Sequence, residues 1–393
     1  MEGKRLLSSI TLQNVLSFGS EEATVDFEPL NVLIGPNTSG KSNLIDVLGF
    51  LRTLPHELSQ VFREGKGLSD WLWKGAERGN FFLIRSKWDR GPQQSIFHGF
   101  ALGRKDDKLQ VFREWISKQD QLESRLLFLA GESDLIIDRD IVIFRGFENL
   151  EVPRIYRNDE SILAQRRDID RFPEAAYIGD CFSRIRLYRQ WYFGRKSRVR
   201  ELQLSDLSNG FLNEDALNLN VVLKRLMQTE EVKNSINESL KILSPDMECV
   251  EIRDIGDFTE LNVRESGGRL ISAHRLSDGT LRFLALLAIL CDPNSSEVVC
   301  IEEPEIGLHP DIIPTIAKLL IEASQRTQLI VTTHSADLVS ALWEFPESVV
   351  VCERGFEGET QLKRLDPKRL EKWLERYSLG ELWLNGEIGG TRW

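Results

Sequence analysis

At 393 residues the chain is long enough for a large core and for two or three domains, and its formal net charge of −11 excludes a global basic field, so any nucleic-acid contact must come from a local patch. Five scattered cysteines (Cys181, Cys249, Cys291, Cys300 and Cys352) form no CxxC pair, which argues against zinc and against a disulfide framework, and for reduced thiols. No segment approaches the roughly 18 apolar residues of a membrane span, and "MEGKRLLSSITLQNV" has no apolar signal core, so a cytoplasmic protein without membrane contact is expected.

In chain order, "SSITLQNVLSF" alternates as a strand does, "EATVDFE" reads as a second, and "LNVLIG" is the continuous apolar run of a buried α/β strand. "KSNLIDVLGFLRTL" has helical spacing. From about residue 80 to 155 the chain turns β-like, with strands expected in "NFFLIRSKW", "SIFHGFALG", "RLLFLAG" and "DLIIDRDIVIF". Residues 214–243 read as two helices, "EDALNLNVVLKRLMQ" and "EEVKNSINESLKIL"; the strands "MECVEIRDI" and "TELNVRE" and a turn at "SGG" follow. The last third alternates: a helix at 284–290, the strand "EVVCIEE", a helix near 311–324, the strand "QLIVTTH" and a helix from about Ser335. That rhythm implies a mostly parallel sheet. Internal repeats, low-complexity stretches and long heptad runs are absent from the sequence.

Between the third strand and its helix lies "GPNTSGKS", Gly35 to Ser42, which fits G-x-x-x-x-G-K-[ST] in the strand–loop–helix context that this motif requires. Backbone N–H groups from about Ser39 to Asn43 can cradle a β-phosphate. Gly40 lets the backbone come close, Lys41 reaches the β- and γ-phosphates, and the Ser42 hydroxyl suits Mg²⁺. The candidate ATP-binding set is Gly35, Asn37, Ser39, Gly40, Lys41, Ser42 and Asn43.

"VVCIEEPEIGLHP" is an apolar strand ending in two carboxylates, and a parallel strand beside the phosphate loop delivers its C-terminal residues to the nucleotide. Glu302 is expected to hold Mg²⁺ through water, and Glu303 to orient or deprotonate the attacking water. The next β-α unit ends its strand in His334, placed to donate to a γ-phosphate.

"HRLSDGTLRF", residues 274–283, is an odd helix start. Ser277 is a good N-cap, but Gly279 gives up helix propensity in the first turn, as if to leave the N-terminus bare for an anion. Asp278 is the awkward residue there, expected to turn away and pair locally.

The order of these motifs carries a resemblance. Phosphate loop, long insert, "LSDGT", acidic strand and "TTHS" resemble the ABC-type ATPase heads of the SMC, RecF and OLD group. "LSDGT" takes the place of the signature, "EEPEIGLHP" that of Walker B and D-loop, and "TTHS" that of the His switch. Stand-alone bacterial AAA-family ATPases of this group also end in a pattern similar to "YSLGELWLNGEIGG", Tyr377 to Gly390. The motifs cover roughly residues 8–55 and 245–355, under half the chain.

The resemblance implies an α/β P-loop NTPase: an ABC-type head with a mostly parallel sheet, an antiparallel β-subdomain and an inserted mixed β/helical lobe. Residues 1–60 and 245–355 would form the head, 61–244 the insert, and 356–393 a tail docking on the head or a partner through Trp383 and Trp393. It also implies a head-to-tail homodimer around two ATP molecules. Ser277 and Gly279 would then meet the γ-phosphate in trans, and Gly307 to His309 would cross the seam. The Q-loop glutamine of such heads has candidates in Gln93, Gln94 and Gln110 and is left unassigned.

Within the insert, "RIRLYRQWYFGRKSRVR" carries seven basic residues (Arg184, Arg186, Arg189, Arg195, Lys196, Arg198 and Arg200) and four aromatics (Tyr188, Trp191, Tyr192, Phe193). Two readings stand: a DNA, RNA or partner groove with stacking platforms, or a strand and loop whose rings are core and whose arginines pair with this chain's acids. No nuclease motif is evident. The expected function is a Mg²⁺-dependent ATPase head that couples sandwich closure to a nuclease-like effector in trans, in anti-phage defence. The alternative is a RecF-like DNA-binding ATPase acting without an effector. An intact Glu303 and His334 weigh against a non-hydrolysing scaffold.

Overall fold

The computed structural model describes residues 3–63, 67–75, 81–91, 94–105, 108–118, 126–130, 159–165, 169–170, 172–294, 296 and 298–390. The expected strand at 134–144 and Trp393 lie outside the described residues.

Short apolar runs without alternation build the central sheet. β3 (Leu30–Ile34) and β14 (Gln328–Thr332) are buried at every position, and β13 (Val298–Glu302) at all but Glu302. Strands covered on both faces read this way. With β8 (Ile185–Tyr188), β15 (Val349–Arg354) and β16 (Thr360–Arg364) the order is β16-β15-β3-β14-β13-β8, parallel except at β16. The register sets Glu302 beside Thr332 and Ile301 beside Tyr188. The C-terminal ends of β3, β14, β13 and β8 therefore meet along one edge.

Alternate side chains of this sheet enter two cores. Val32, Ile301 and Val331 pack with α5 (Leu219–Leu226), α6 (Glu230–Leu243), α7 (Asp278–Leu290), α8 (Ile313–Ser324), α9 (Ala336–Ser340), α10 (Pro367–Leu374) and α11 (Leu379–Leu384). Leu33, Cys300 and Ile330 pack with α1 (Lys41–Thr53), α2 (Leu58–Arg63), α3 (Ile162–Gln165) and α4 (Pro173–Ser183). A second sheet closes this core. It is antiparallel, ordered β2-β1-β4-β5-β6-β7, from β1 (Leu7–Gln13), β2 (Ala23–Asp26), β4 (Phe81–Gly91), β5 (Gln94–Lys105), β6 (Lys108–Ser117) and β7 (Leu126–Ala130). Phe50 of α1 seats against it, its ring 5.5 Å from Phe82 and 5.7 Å from Phe100. A third, small sheet of β9 (Gln203–Leu204), β10 (Met247–Ile255), β11 (Phe258–Glu265) and β12 (Leu270–Ser272) leads into α7.

Two differences from expectation have local causes. β6 is a strand that the expected set did not name, within a stretch expected to be β-like, and it carries Glu114. The carboxylate is fully buried and satisfied by His98 Nε2 (2.9 Å), Ser161 Oγ (2.8 Å) and the Ile162 N–H (2.7 Å). The helix expected from residue 214 starts only at Leu219, because Ala216 takes a positive φ of 57° and the Asn218 amide turns back to the Ser208 and Phe211 carbonyls. Of the two readings of Arg184 to Arg200, "IRLY" follows the strand reading: it is a core strand.

None of the five cysteines is in a disulfide; burial pushes the Cys352 thiol up to about 12 and Cys291 to about 11. Among the described residues no helix is long and apolar enough to cross a membrane.

Candidate functional site

The loop Gly35–Gly40 leaves β3 and turns into α1 without a side-chain cap, with Gly40 at φ 100° and no acid in the first turn. The helix end is thus open. Ser42 is exposed and Asn43 half-buried on this first turn, while Ser39 is buried. Lys41 folds over the loop, its Nζ donating to the Gly35 carbonyl at 2.7 Å and the Pro36 carbonyl at 2.9 Å. One of its three donors is left for a phosphate. Burial lowers the Lys41 pKa, while Cys352 and Glu303 act to raise it. Asn37 and Thr38 are exposed; Thr38 takes φ 69°, a left-handed conformation that glycine adopts at less cost.

The loop is braced from behind by residues that carry no motif. Thr360 Oγ1 lies 3.0 Å from the Ser39 carbonyl and 2.6 Å from Ser17 Oγ. A Cβ on Gly40 would come within 2.0 Å of that Thr360 oxygen. The C-terminal segment reaches the same loop. Trp383, expected to dock on the head or a partner, is buried on this head and donates from Nε1 to the Gly390 carbonyl (3.0 Å); Gly390 N–H donates to Glu353 Oε1 (2.7 Å). A Cβ on Gly390 would lie 3.4 Å from Gly35 Cα.

Across the edge, β13 ends in Glu302, and the chain turns sharply at Glu303, a non-glycine residue at φ 48° whose N–H bonds the Thr332 carbonyl at 2.9 Å. Such backbone positions concentrate at functional sites. Glu303 Oε1 lies 3.6 Å from His334 Nε2. Glu305, which sequence reasoning passed over, ties this turn to the next strand end: its Oε1 accepts from Thr333 Oγ1 (2.5 Å) and from the His334 N–H (3.0 Å). Burial pushes the Glu305 carboxyl above its ordinary range.

At the start of α7, Ser277 Oγ accepts from the Thr280 N–H at 3.0 Å. The end is capped, not bare. Gly279 packs against the 307–309 loop, where a Cβ would lie 2.8 Å from the Gly307 carbonyl. Asp278 turns aside, as expected, and pairs with Arg200. Arg200 is itself buried and donates to the Phe193, Ala273 and Leu276 carbonyls, so it pins the whole turn.

The seven basic residues therefore do not form one surface. Arg200 lies behind the signature turn. Arg189 leaves the end of β8 for the nucleotide edge, where Nη1 donates to Asp46 Oδ1 (2.6 Å) and Nε to Glu302 Oε1 (3.1 Å). Arg184 pairs with Asp180 (3.0 Å), and Arg186 stacks on Phe211. Only Arg195, Lys196 and Arg198 of the seven, with Tyr192, stay together as an exposed tip; Phe193 and Tyr188 are core. The strand-and-loop reading accounts for most of this segment. Among the Q-loop candidates, Gln94 and Gln110 sit on β5 and β6 of the antiparallel sheet, and Gln93 lies outside the described residues.

A profile of the family described as "AAA domain, putative AbiEii toxin, Type IV TA system" matches residues 30–340, from β3 through α9. Among curated proteins none matches. Among solved structures the chain is similar to an Smc head bound to the C-winged helix domain of ScpA, at 14% identity and a TM-score of 0.58, covering 93% of this chain and 99% of that one. It is also similar to an Smc head with an extended coiled coil, bound to the C-terminal domain of ScpA derived from Pyrococcus furiosus (12% identity, TM-score 0.56, 94% and 98% covered). A third is an Smc head with a coiled coil and joint derived from Pyrococcus yayanosii (11% identity, TM-score 0.52, 94% and 99% covered). At such identities the likeness speaks for the fold. The chain belongs to the AAA-domain family so described, and it is a nucleotide-binding P-loop ATPase with the fold of Smc heads.

Proposed function

We propose that this ATPase is Mg²⁺-dependent, that its heads close in pairs, head to tail, around two ATP molecules, and that closure is passed to a protein partner. The observation that carries this is the meeting of Lys41, Ser42, Glu302, Glu303 and His334 at one sheet edge, with the α7 turn packed on the 307–309 loop. Lys41 and the open end of α1 bind the phosphates. Glu303 orients or deprotonates the attacking water, and His334, beside it, donates to the γ-phosphate. Ser277 and Gly279 serve the nucleotide of the opposite head, with Gly307 to His309 at the seam. Gln190 follows Arg189 beside the Walker B strand, and we assign it the Q-loop position.

The donor set fits Mg²⁺. Ser42 and Glu302 offer hard oxygens, and the Arg189 guanidinium reaches the Ser42 backbone carbonyl and the Glu302 carboxylate, so these two residues lie close enough to be the ones that would hold the ion. Among the described residues no group of three or more His, Cys, Asp or Glu side chains could hold a metal alone, so phosphate and water would have to supply the other ligands, as suits Mg²⁺. A divalent ion held there would neutralise charge that develops on the phosphates.

The family description names a toxin of a type IV toxin–antitoxin system, and two of the similar Smc heads carry a ScpA domain. Both support a head that works with another protein, here an effector such as a nuclease in anti-phage defence, in the cytoplasm. The RecF-like reading rests on the exposed Arg195–Arg198 tip; salt-dependent DNA binding lost on neutralising Arg195 and Lys196 would favour it. The deciding experiment is the mass of Glu303→Gln with and without ATP. A doubled mass with ATP, with slow hydrolysis, is expected. A monomer at saturating ATP sinks the sandwich.

A further inference from the structure

Arg189 was drawn from sequence as part of a surface patch, yet its guanidinium sits between three elements of the nucleotide site. Nε and Nη2 both reach Glu302 Oε1, at 3.1 and 3.0 Å; Nη1 donates to Asp46 Oδ1 at 2.6 Å; Nη2 also reaches the Ser42 carbonyl at 3.2 Å. The placement follows from the fold. β8 runs parallel to β13 with Tyr188 level with Ile301, so the next residue, Arg189, comes level with Glu302. Asp46 lies four residues beyond Ser42 on α1, on the same helix face. One cation thus closes the space between α1, β13 and β8, with its side chain 29% exposed.

The carboxylate it occupies is the one assigned to the divalent ion. A guanidinium and a divalent ion drawn to one carboxylate, the ion through water, repel each other in a half-buried site, where water screens poorly. Arg189 engages only Oε1, so Oε2 stays open to the ion's water, but the guanidinium charge opposes the ion until that contact loosens. Withdrawal has somewhere to go: Asp46 can keep one arm, and a guanidinium fork matches phosphate oxygens well.

We propose that Arg189 is a resident cation that holds Glu302 and Asp46 in the nucleotide-free head and competes with Mg²⁺ for Glu302, so that it sets the Mg²⁺ concentration at which nucleotide binds tightly. This rests on the reading of Glu302 as the Mg²⁺ carboxylate. Arg189 is a positioning residue on this account, acting through Glu302 rather than on the reacting atoms.

The test uses the full chain and two readouts besides turnover: binding of a fluorescent ADP analogue titrated with Mg²⁺, and the melting temperature with Mg²⁺ alone. Wild type should need the most Mg²⁺, and Mg²⁺ without nucleotide should scarcely move its melting point. Arg189→Ala should melt lower than wild type without metal, because Glu302 and Asp46 lose their counter-cation, and Mg²⁺ alone should restore part of the loss. Its half-saturating Mg²⁺ for nucleotide should fall several-fold. Where Arg189→Ala does not fold, Arg189→Gln, which keeps donors without charge, carries the same expectations. An unchanged or raised Mg²⁺ requirement in a folded variant overturns the proposal, as does loss of nucleotide binding at every Mg²⁺ concentration, which would make Arg189 a phosphate ligand. Wild type that binds nucleotide equally with and without Mg²⁺ would instead sink the Mg²⁺ reading of Glu302 itself.

Discussion

Two helices of this molecule, α1 and α7, begin in opposite ways, and both N-termini have a place in the proposed nucleotide chemistry. α1 starts at Gly40 with no side-chain cap and no acid in its first turn. α7 starts at Ser277, which spends its hydroxyl on the Thr280 N–H, and carries Asp278 in its first turn. Both ends hold the positive pole of a helix dipole, about half a charge. Only the first is left open in the single chain. At the second, the Asp278 carboxylate would repel a phosphate were it not paired with Arg200, whose side chain is 4% exposed. Glycine serves both ends for different reasons. Gly40 must adopt φ 100° over Thr360, whereas Gly279 gives way to the Gly307 carbonyl. An open end suits an anion the chain binds by itself. A capped, charge-balanced end beside the 307–309 loop is in keeping with the proposal that its anion comes with another head.

The comparison breaks most visibly at the open end. Lys41→Ala removes the charge that folds over the loop and should raise the Kd for ATP by about 10- to 100-fold, from charge-assisted bonds of about 1.5–3 kcal/mol. Retained tight binding in an equilibrium titration would mean that the loop is not the phosphate site. At the capped end the effects should separate binding from pairing. Ser277→Arg should leave ATP affinity of the single head within roughly twofold, as expected of a distant site, yet abolish ATP-driven dimers in a mass measurement. Gly279→Ala should destabilise the fold by about 1–3 kcal/mol through overpacking on Gly307 and weaken dimers less completely. Asp278→Ala should do least of the three. Its carboxylate is 65% exposed, so the pair is worth less than about 1 kcal/mol, and Arg200 keeps its carbonyl partners. If Asp278→Ala proves more damaging than Ser277→Arg in the ATPase assay, the two ends differ for another reason.

What the sequence showed of this site follows how far its parts lie apart. Gly35–Ser42, Glu302 with Glu303, and His334 announce themselves because strand, turn and helix signals adjoin the chemical groups. The parallel sheet was legible for the same reason. Arg189 was not: its carboxylate partner is 113 residues away, and only the β8–β13 pairing brings them level. Arg200 meets Asp278 across 78 residues. From sequence alone, both could be groove cations beside aromatic rings or arginines paired with this chain's acids, and nothing there names the acids. Thr360 braces the phosphate loop across 321 residues, and Ser17 holds Thr360 across 343, through hydroxyls that fit no motif. Glu114 drew no reading at all, since nothing in a strand's sequence marks an acid as buried until its three partners are seen.

The smallest expected effect probes the open end from behind, at the His334 turn. Glu305 is raised by burial first, with Glu303 adding to it, against the pull of the Thr333 and His334 bonds. A carboxyl raised on folding contributes stability below its unfolded value of about 4.3. That contribution is lost as pH rises through the higher folded value. Ionising it therefore costs the fold stability, yet it is retained beside His334, the residue proposed to meet the γ-phosphate. Glu305→Gln keeps an acceptor oxygen for Thr333 Oγ1 and the His334 N–H but cannot ionise. Its melting point relative to wild type should climb as pH goes from about 5 to 8, by on the order of a degree or two. Glu305→Ala, which strands both donors, should fall below wild type across the whole range. A Glu305→Gln difference that shrinks with rising pH would mean that the carboxylate is stabilised as an ion, and that the His334 turn is held by charge rather than by shape.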